Sequence, residues 1–293
     1  LTFLFAINPA SGGKAKTDWE AGITDYFNNS PHTATLLHLN GETDEEALRQ
    51  HLADLRPDRV VAVGGDGTIK FVAEQLLDTG IPLGVLPAGS ANGMARELNI
   101  PPDVEKSLDI VVNGILKPID VIVLNDNDIC LHLSDIGLNA QMVRHYQQNN
   151  LRGMFGYLQS VLKVLRKRRL LRTSINRGDE CIQRAALMVV LANARMYGTG
   201  AVINPDGDPS DGVFEVVVFR RLTIWEILKL FWRFRPFDPK NIEIFPATSV
   251  SIEMYRRAYF QVDGEYRGRV TKLDARIQPG ALTMLLPPDT APA

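Results

Sequence analysis

The sequence predicts two domains: an α/β domain built on a parallel sheet, then a β-rich, largely antiparallel domain. The number follows from length, since 293 residues exceed the roughly 100–200 of one typical domain. A strand–helix rhythm up to Asp120 predicts the first kind, and the β-rich runs with turn signals beyond it predict the second.

Taken in order, Leu1–Ile7, Ala34–Leu39, Arg59–Val63 and Leu83–Leu86 are apolar runs of strand length. Between them, Lys16–Asn28, Thr43–Leu55 and Ile69–Asp78 mix polar and apolar residues at helical spacing. Ligands of such a sheet gather at the carboxyl ends of its strands, where loops lead into helix N-termini. After Asp120 the β-rich runs are Ile119–Leu124, Ala185–Ala192, Val213–Phe219, Ser249–Ile252 and Tyr259–Val262. Helical inserts interrupt them at Met154–Leu171 and Ile224–Arg233, and Pro287–Ala293, with three prolines, reads as a loose tail. The expected limits are 1–122 and 123–286, with the tail 287–293 able to return to the first domain.

A composition of 45 % hydrophobic and 23 % charged residues excludes a disordered chain. Lys+Arg of 32 against Asp+Glu of 34 gives a net charge of −2, which excludes a global basic field for nucleic acid. Any anionic partner is then met by a local patch. Cys130 and Cys181 form no CxxC pair, so a reducing cytoplasm is the expected compartment. The opening residues lack a basic n-region and read as a buried strand, and no stretch approaches the ~18–20 apolar residues of a membrane span. A membrane, if met, is met from the side.

Val60–Val63 runs into Gly64-Gly65-Asp66-Gly67-Thr68 just before a helical pattern. Such a loop has no Cβ atoms to hold a phosphate chain off and offers N–H groups at a helix start. It is neither a Walker A loop nor a GxGxxG fingerprint. An acid between the glycines would repel phosphate unless it faces a divalent cation, so Asp66 points to Mg²⁺-nucleotide chemistry. An ordinary turn with Asp66 or Thr68 as N-cap is the alternative. Two more small polar loops, Pro87–Gly93 and Asn8–Lys14, follow neighbouring strands and would converge on the same crevice.

In their order, Asn8-Pro9-Ala10-Ser11-Gly12-Gly13, Gly64-Gly65-Asp66-Gly67-Thr68 and Pro87-Ala88-Gly89-Ser90-Ala91-Asn92 resemble the diacylglycerol kinase catalytic-domain superfamily, which includes bacterial lipid kinases and the sphingosine and ceramide kinases. Asn193–Gly200, Pro205 with Asp211-Gly212, and Val262-Asp263-Gly264-Glu265 extend the match. The resemblance implies a Rossmann-like nucleotide domain, similar to phosphofructokinase and NAD kinase, and an antiparallel β-sandwich as acceptor domain. It implies ATP bound by Asn8, Gly64, Gly65, Asp66, Gly67, Thr68, Ser90 and Asn92, with Asp66 catalytic through Mg²⁺ and Lys14 an extra cation nearby. It implies Glu265 as general base and Asp208, Asp211 and Val213 as ligands of a structural Mg²⁺. Without the resemblance, Asp263-Gly264 is a hairpin turn and Pro209-Ser210-Asp211-Gly212 an ordinary β-turn.

Three positions depart from the family pattern. Lys70-Phe71 follows Ile69 where Asn-Glu is usual, Gly89-Ser90-Ala91-Asn92-Gly93 replaces GTxND, and Gly137-Leu138-Asn139-Ala140 replaces Gly-Phe-Asp-Ala. Each loses an acid. Six basic residues and no acid fill Leu162–Arg172, and aromatics alternate with arginines in Leu230–Phe237. Both suit the surface of an anionic bilayer, and both equally suit a solvated helix face or a core helix. The expected protein is a cytoplasmic, ATP- and Mg²⁺-dependent lipid kinase of phospholipid biosynthesis, a homodimer peripheral to the membrane, phosphorylating a diacylglycerol-like or sphingoid hydroxyl. The alternatives are an NAD-kinase-like phosphotransferase and a non-catalytic lipid- or nucleotide-binding protein.

Overall fold

The computed structural model describes residues 1–11, 16–126, 128–148, 170–196, 202–221, 238 and 240–288. Two compact units divide the chain: Leu1–Ile119 with Pro279–Ala293, and Asp120–Gln278. Among the described residues no helix is long and apolar enough to cross a membrane. Residues 162–169 of the expected basic segment Leu162–Arg172, residues 154–169 of the first expected insert, the second insert 224–233, the aromatic–arginine segment 230–237, residues Gly12–Lys14 and the Tyr197–Gly200 part of the fourth motif lie outside the described residues, while Leu171, expected to end a helix, opens a strand.

In the first unit, β1 (Thr2–Ile7), β2 (Thr33–His38), β3 (Arg59–Gly64) and β4 (Leu83–Pro87) pair in parallel in the order β4-β3-β1-β2. Helices α1 (Lys16–Asn28), α2 (Asp44–Leu55), α3 (Asp66–Leu76), α4 (Gly93–Glu97) and α5 (Val104–Asn113) connect them. Phe3, Phe5, Val61, Val63 and Leu86 pack with Trp19, Ile23 and Phe27 of α1 and Leu108 and Val111 of α5. Strands buried on both faces explain why these runs are continuously apolar. Local signals set the helix ends: Asp44, Glu45 and Glu46 occupy the first turn of α2, and the Asp103 carboxylate caps α5 by accepting from the Lys106 N–H at 2.9 Å. Helix α3 begins at Asp66, three residues before the expected Ile69. The glycine loop is therefore the first helical turn.

Register decides where the loops sit. Ile7 lies opposite Val63, Val63 opposite Leu86, and Gly64 opposite Pro87. The carboxyl ends of β1, β3 and β4 are level, so their loops leave the sheet side by side.

The second unit is antiparallel. Its strands are β5 (Ile115–Leu124, shared with the first unit), β6 (Asp128–Cys130), β7 (Leu133–Gly137), β8 (Leu171–Arg177), β9 (Glu180–Ala186), β10 (Met188–Ala192), β11 (Phe214–Phe219), β12 (Ile242–Ala247), β13 (Ser249–Val262) and β14 (Glu265–Leu286). The order β12-β11-β10-β7-β13-β14 carries β8 and β9 beside β13. Phe214, Val216 and Val218 enter a core with Ile122, Leu191, Phe260 and Leu273. The alternate residues Val217 and Phe219 pack with Leu138 and Met142 of α6 (Leu138–Gln148) on the other face. Two-sided burial again produces an apolar run, here Val216–Phe219.

Two strand expectations are corrected here. Ala185–Ala192 is two strands broken at Leu187, whose N–H donates to the Phe219 carbonyl at 2.7 Å and whose carbonyl accepts from Leu138 at 3.1 Å. Ser249–Ile252 and Tyr259–Val262 are two ends of one strand, with a register shift between Glu253 and Ala258. The 22-residue β14 passes from the second unit into the first at Pro279, where Met284 pairs in parallel with Leu83. A strand of that length is long enough to serve two sheets.

Gly137, at the end of β7, has φ +114°, and a Cβ there would lie 2.6 Å from the Leu187 carbonyl oxygen. Gly137→Ala should cost about 1–3 kcal/mol. A lower urea midpoint with unchanged slope is the expected readout.

Candidate functional site

Gly65 is the N-cap of α3, and the backbone N–H groups of Gly65, Asp66 and Gly67 take no acceptor among the described residues. They open at the level edge of the parallel sheet. An eleven-residue helix with free N–H groups at its start concentrates partial positive charge there.

The neighbouring loop completes the cradle. A Cβ on Gly89 would collide with Gly65 Cα, and one on Gly65 would lie 3.2 Å from Gly89 Cα. The two chains therefore cross glycine against glycine, tied by the Ala88 N–H to the Gly64 carbonyl at 2.9 Å. Both Asp66 carboxylate oxygens accept backbone N–H groups across the crossing, Oδ2 from Gly93 and Oδ1 from Met94, each at 2.9 Å. The acid among the glycines thus has a partner the sequence did not reveal. Its charge is placed against the start of α4, and its remaining lone pairs are what a cation would use.

Three further expected nucleotide residues, Asn8, Thr68 and Asn92, are engaged within the protein. Thr68 is buried, and its hydroxyl accepts from Asn8 Nδ2 at 3.0 Å while Asn8 Oδ1 accepts from the Ala10 N–H at 2.9 Å. Gly64 has no room for a Cβ because Thr68 fills that space. Asn92 sits at φ +50°, donates from Nδ2 to the Pro87 and Gly89 carbonyls and accepts from the Gly89 N–H. These three side chains shape the loops. Ser90 is exposed on the rim, Gly67 is exposed beside it, and Lys70, on α3, is buried with Nζ 3.9 Å from Glu74.

In the second unit, Asp263 and Gly264 have φ +49° and +85°, the geometry of the hairpin joining β13 to β14. Asp263 also takes the Leu131, His132 and Leu133 N–H groups at 3.1, 2.9 and 3.2 Å. Glu265 opens β14 with its side chain 46 % exposed, 3.1 Å from Arg267, which pairs in turn with Asp128 at 2.9 Å. Gln261 braces the turn: Oε1 accepts from the Gly264 N–H at 2.7 Å, and Nε2 donates to the fully buried Asp135. Asp135 also accepts from the Asn139 amide and the Ala140 N–H. The carboxylate missing at position 139 therefore has a counterpart four residues earlier, on β7, and Asn139 in the first turn of α6 is the donor it needs. Sequence reading missed Asp135 and Gln261, because Asp135 lies on a strand and no helical spacing links it to Asn139.

Asp120, 3 % exposed, pins the Asp208–Gly212 loop. Its Oδ2 accepts from Gly212 at 2.7 Å, and its N–H donates to the Pro209 carbonyl at 2.7 Å. Asp208 accepts from Ser210, and Asp211 from the Val213 N–H. Burial pushes the Glu215 carboxyl up, the Asn204 amide opposes the shift, and the charges of Asp211 and Asp206 add to it. Among the described residues no three His, Cys, Asp or Glu side chains are grouped to hold a metal. Two carboxylates and the Val213 carbonyl in a tight turn are hard donors, and their chemistry fits Mg²⁺ that keeps several waters.

Residues 2–124 match the diacylglycerol kinase catalytic domain family, and residues 134–286 match the YegS C-terminal NAD kinase beta sandwich-like domain. The chain is 28 % identical over 270 residues to a diacylglycerol kinase of Bacillus subtilis, covering 89 % of this chain and 88 % of that one. It is also 28 % identical over 244 residues to an uncharacterized protein of Synechocystis, covering 78 % of this chain and 54 % of that protein, so it spans about half the length of that relative. The crystal structure of a diacylglycerol kinase from Bacillus anthracis superposes with a TM-score of 0.76 at 19 % identity, over 99 % of this chain and 98 % of that one.

The Asp135–Asn139 pair predicts a directional swap. Asn139→Asp should destabilise the protein by roughly 3 kcal/mol, because two buried carboxylates would then share one place. Adding Asp135→Asn should recover most of that loss, as read by urea unfolding of both variants.

Proposed function

The chain belongs to the diacylglycerol kinase catalytic-domain family of lipid kinases, and from that premise we propose that it transfers the γ-phosphate of ATP to a hydroxyl of a diacylglycerol-like or sphingoid lipid. The observation that carries the donor half is the start of α3, where three backbone N–H groups stand open beside a glycine crossing. Anionic phosphate is the ligand such a surface prefers, and glycines at the crossing carry no side chain of their own to hold it off the backbone. Ser90, exposed on the rim, is placed to meet the ribose or phosphates.

Glu265 supplies the base. A lipid hydroxyl is a weak nucleophile at neutral pH, and a carboxylate that takes its proton during attack lowers the barrier. The acceptor oxygen bonds to the γ-phosphorus, the bond to the β–γ bridging oxygen breaks, and ADP leaves with that oxygen. Arg267, paired with Glu265 at 3.1 Å, helps to hold the carboxylate in position. Asp263 and Gln261 hold the turn that aims it. Mg²⁺, when bound, would neutralise phosphate charge and, at Asp208, Asp211 and the Val213 carbonyl, stiffen the loop that Asp120 anchors. Peripheral contact with an anionic membrane, a cytoplasmic location and a homodimer belong to the same proposal.

The test is transfer from γ-radiolabelled ATP to separated lipids, with NAD⁺ as a competing acceptor. Label should enter a lipid band, and Glu265→Gln should lower the rate at least about 100-fold. Transfer to NAD⁺ alone, or ATP binding with no transfer, would overturn the reading. Mg²⁺ should raise the Tm of the native protein and leave that of an Asp208→Ala/Asp211→Ala variant unchanged.

A further inference from the structure

The second unit carries a cavity of about 1110 Å³ that takes no part in the sites above. Its walls come from the end of β7, the start of α6, the start of β8 and the middle of β13, where the register shift between Glu253 and Ala258 frees four residues from the β14 ladder. Arg256 and Arg257 project from that irregular stretch, and Arg172 and Arg269 line the same cavity. No aspartate or glutamate is among its described lining residues, and none of these four guanidinium groups has a carboxylate within 4 Å among the described residues.

Arginines dominate the exposed lining of the cavity, with two large hydrophobic side chains among them. Tyr259 is held by Arg269, which donates to its hydroxyl at 2.6 Å with Cζ 4.2 Å from the ring centroid. Arg144 of α6 donates to the same hydroxyl at 2.9 Å. On the rim stand Tyr255, 79 % exposed, and Leu170, 58 % exposed, the two most exposed large hydrophobic side chains among the described residues. Uncompensated arginines call for an anion, and a soluble anion gives no reason for the two exposed hydrophobic side chains beside them. A lipid headgroup calls for both, since tyrosine and leucine settle at the interface while guanidinium groups meet phosphate.

We infer that this cavity is a docking site for the phosphate of an anionic phospholipid, seated with Tyr255 and Leu170 in the bilayer interface. It deepens the lipid-kinase reading by giving the second unit its membrane-facing surface, yet it can be tested without turnover. Each arginine near an anionic surface adds about fivefold to binding. Arg256 and Arg257 are exposed and touch neither proposed catalytic site, so removing both should leave the fold intact.

The experiment is co-sedimentation with vesicles of phosphatidylglycerol and phosphatidylcholine, compared with pure phosphatidylcholine. The native protein should bind the anionic vesicles at ~0.1 M salt and release at high salt. Arg256→Ala/Arg257→Ala should bind them about 30-fold more weakly with an unchanged Tm, and should keep its turnover on detergent-dispersed lipid. Equal vesicle binding by the double variant overturns the proposal. Free glycerol phosphate that binds the native protein at micromolar concentration and displaces the vesicles reassigns the site to a soluble anion, which also overturns it. Vesicle binding that needs both arginines in a protein without kinase activity upholds the docking site and removes the kinase reading alone.

Discussion

The contact between Gly65 and Gly89 sets the distance on which the nucleotide half of this protein depends. Two loops from adjacent parallel strands cross so closely that a Cβ on Gly89 has no place. Because they cross, the carboxylate of Asp66 reaches the N–H groups of Gly93 and Met94, and the first turn of α3 is left with open N–H groups at the sheet edge. A methyl group at the crossing would separate the loops, leave the carboxylate without partners and cover the amides. Parallel register supplies the other half of the constraint, since it brings β1, β3 and β4 to the same level.

The second unit repeats the device with other aspartates. Asp120 accepts from Gly212, Asp135 from Ala140, and Asp263 from three consecutive amides at Leu131–Leu133. Each joins segments distant in sequence or caps the start of a helix, and each holds a loop that a β-sheet alone would leave loose. Amide donors suit a buried carboxylate because they offset its desolvation without a second formal charge. Among the groups that remain accessible to do chemistry or hold a cation are Glu265, the exposed Asp211, and the partly exposed Asp208 and Asp66.

Much of this was legible in the chain. The four parallel strands and the helices between them follow from apolar runs and their spacing, and α1 matches its expected limits residue for residue. Errors fell where tertiary pairing overrides pattern. Leu187 breaks an apolar run because its backbone bonds with Phe219 and Leu138, and β13 joins two expected strands because a bulge hides their continuity. The start of α3 moved forward because glycine, a poor helix former, lies in a turn fixed by neighbouring loops.

The sequence by itself determined the fold class, the loop motifs and the presence of a glycine-rich helix start, because each is a local matter of apolar spacing and small residues. It could not determine what the acids in those motifs face. Asp66, expected to face a cation, also accepts backbone amides 27 and 28 residues away. Asn139 read as a lost acid and proved to be the donor for Asp135, beside Gln261 from a strand more than a hundred residues later. A carboxylate's role is set by the donors within about 3 Å of it, and only the folded chain decides which donors those are.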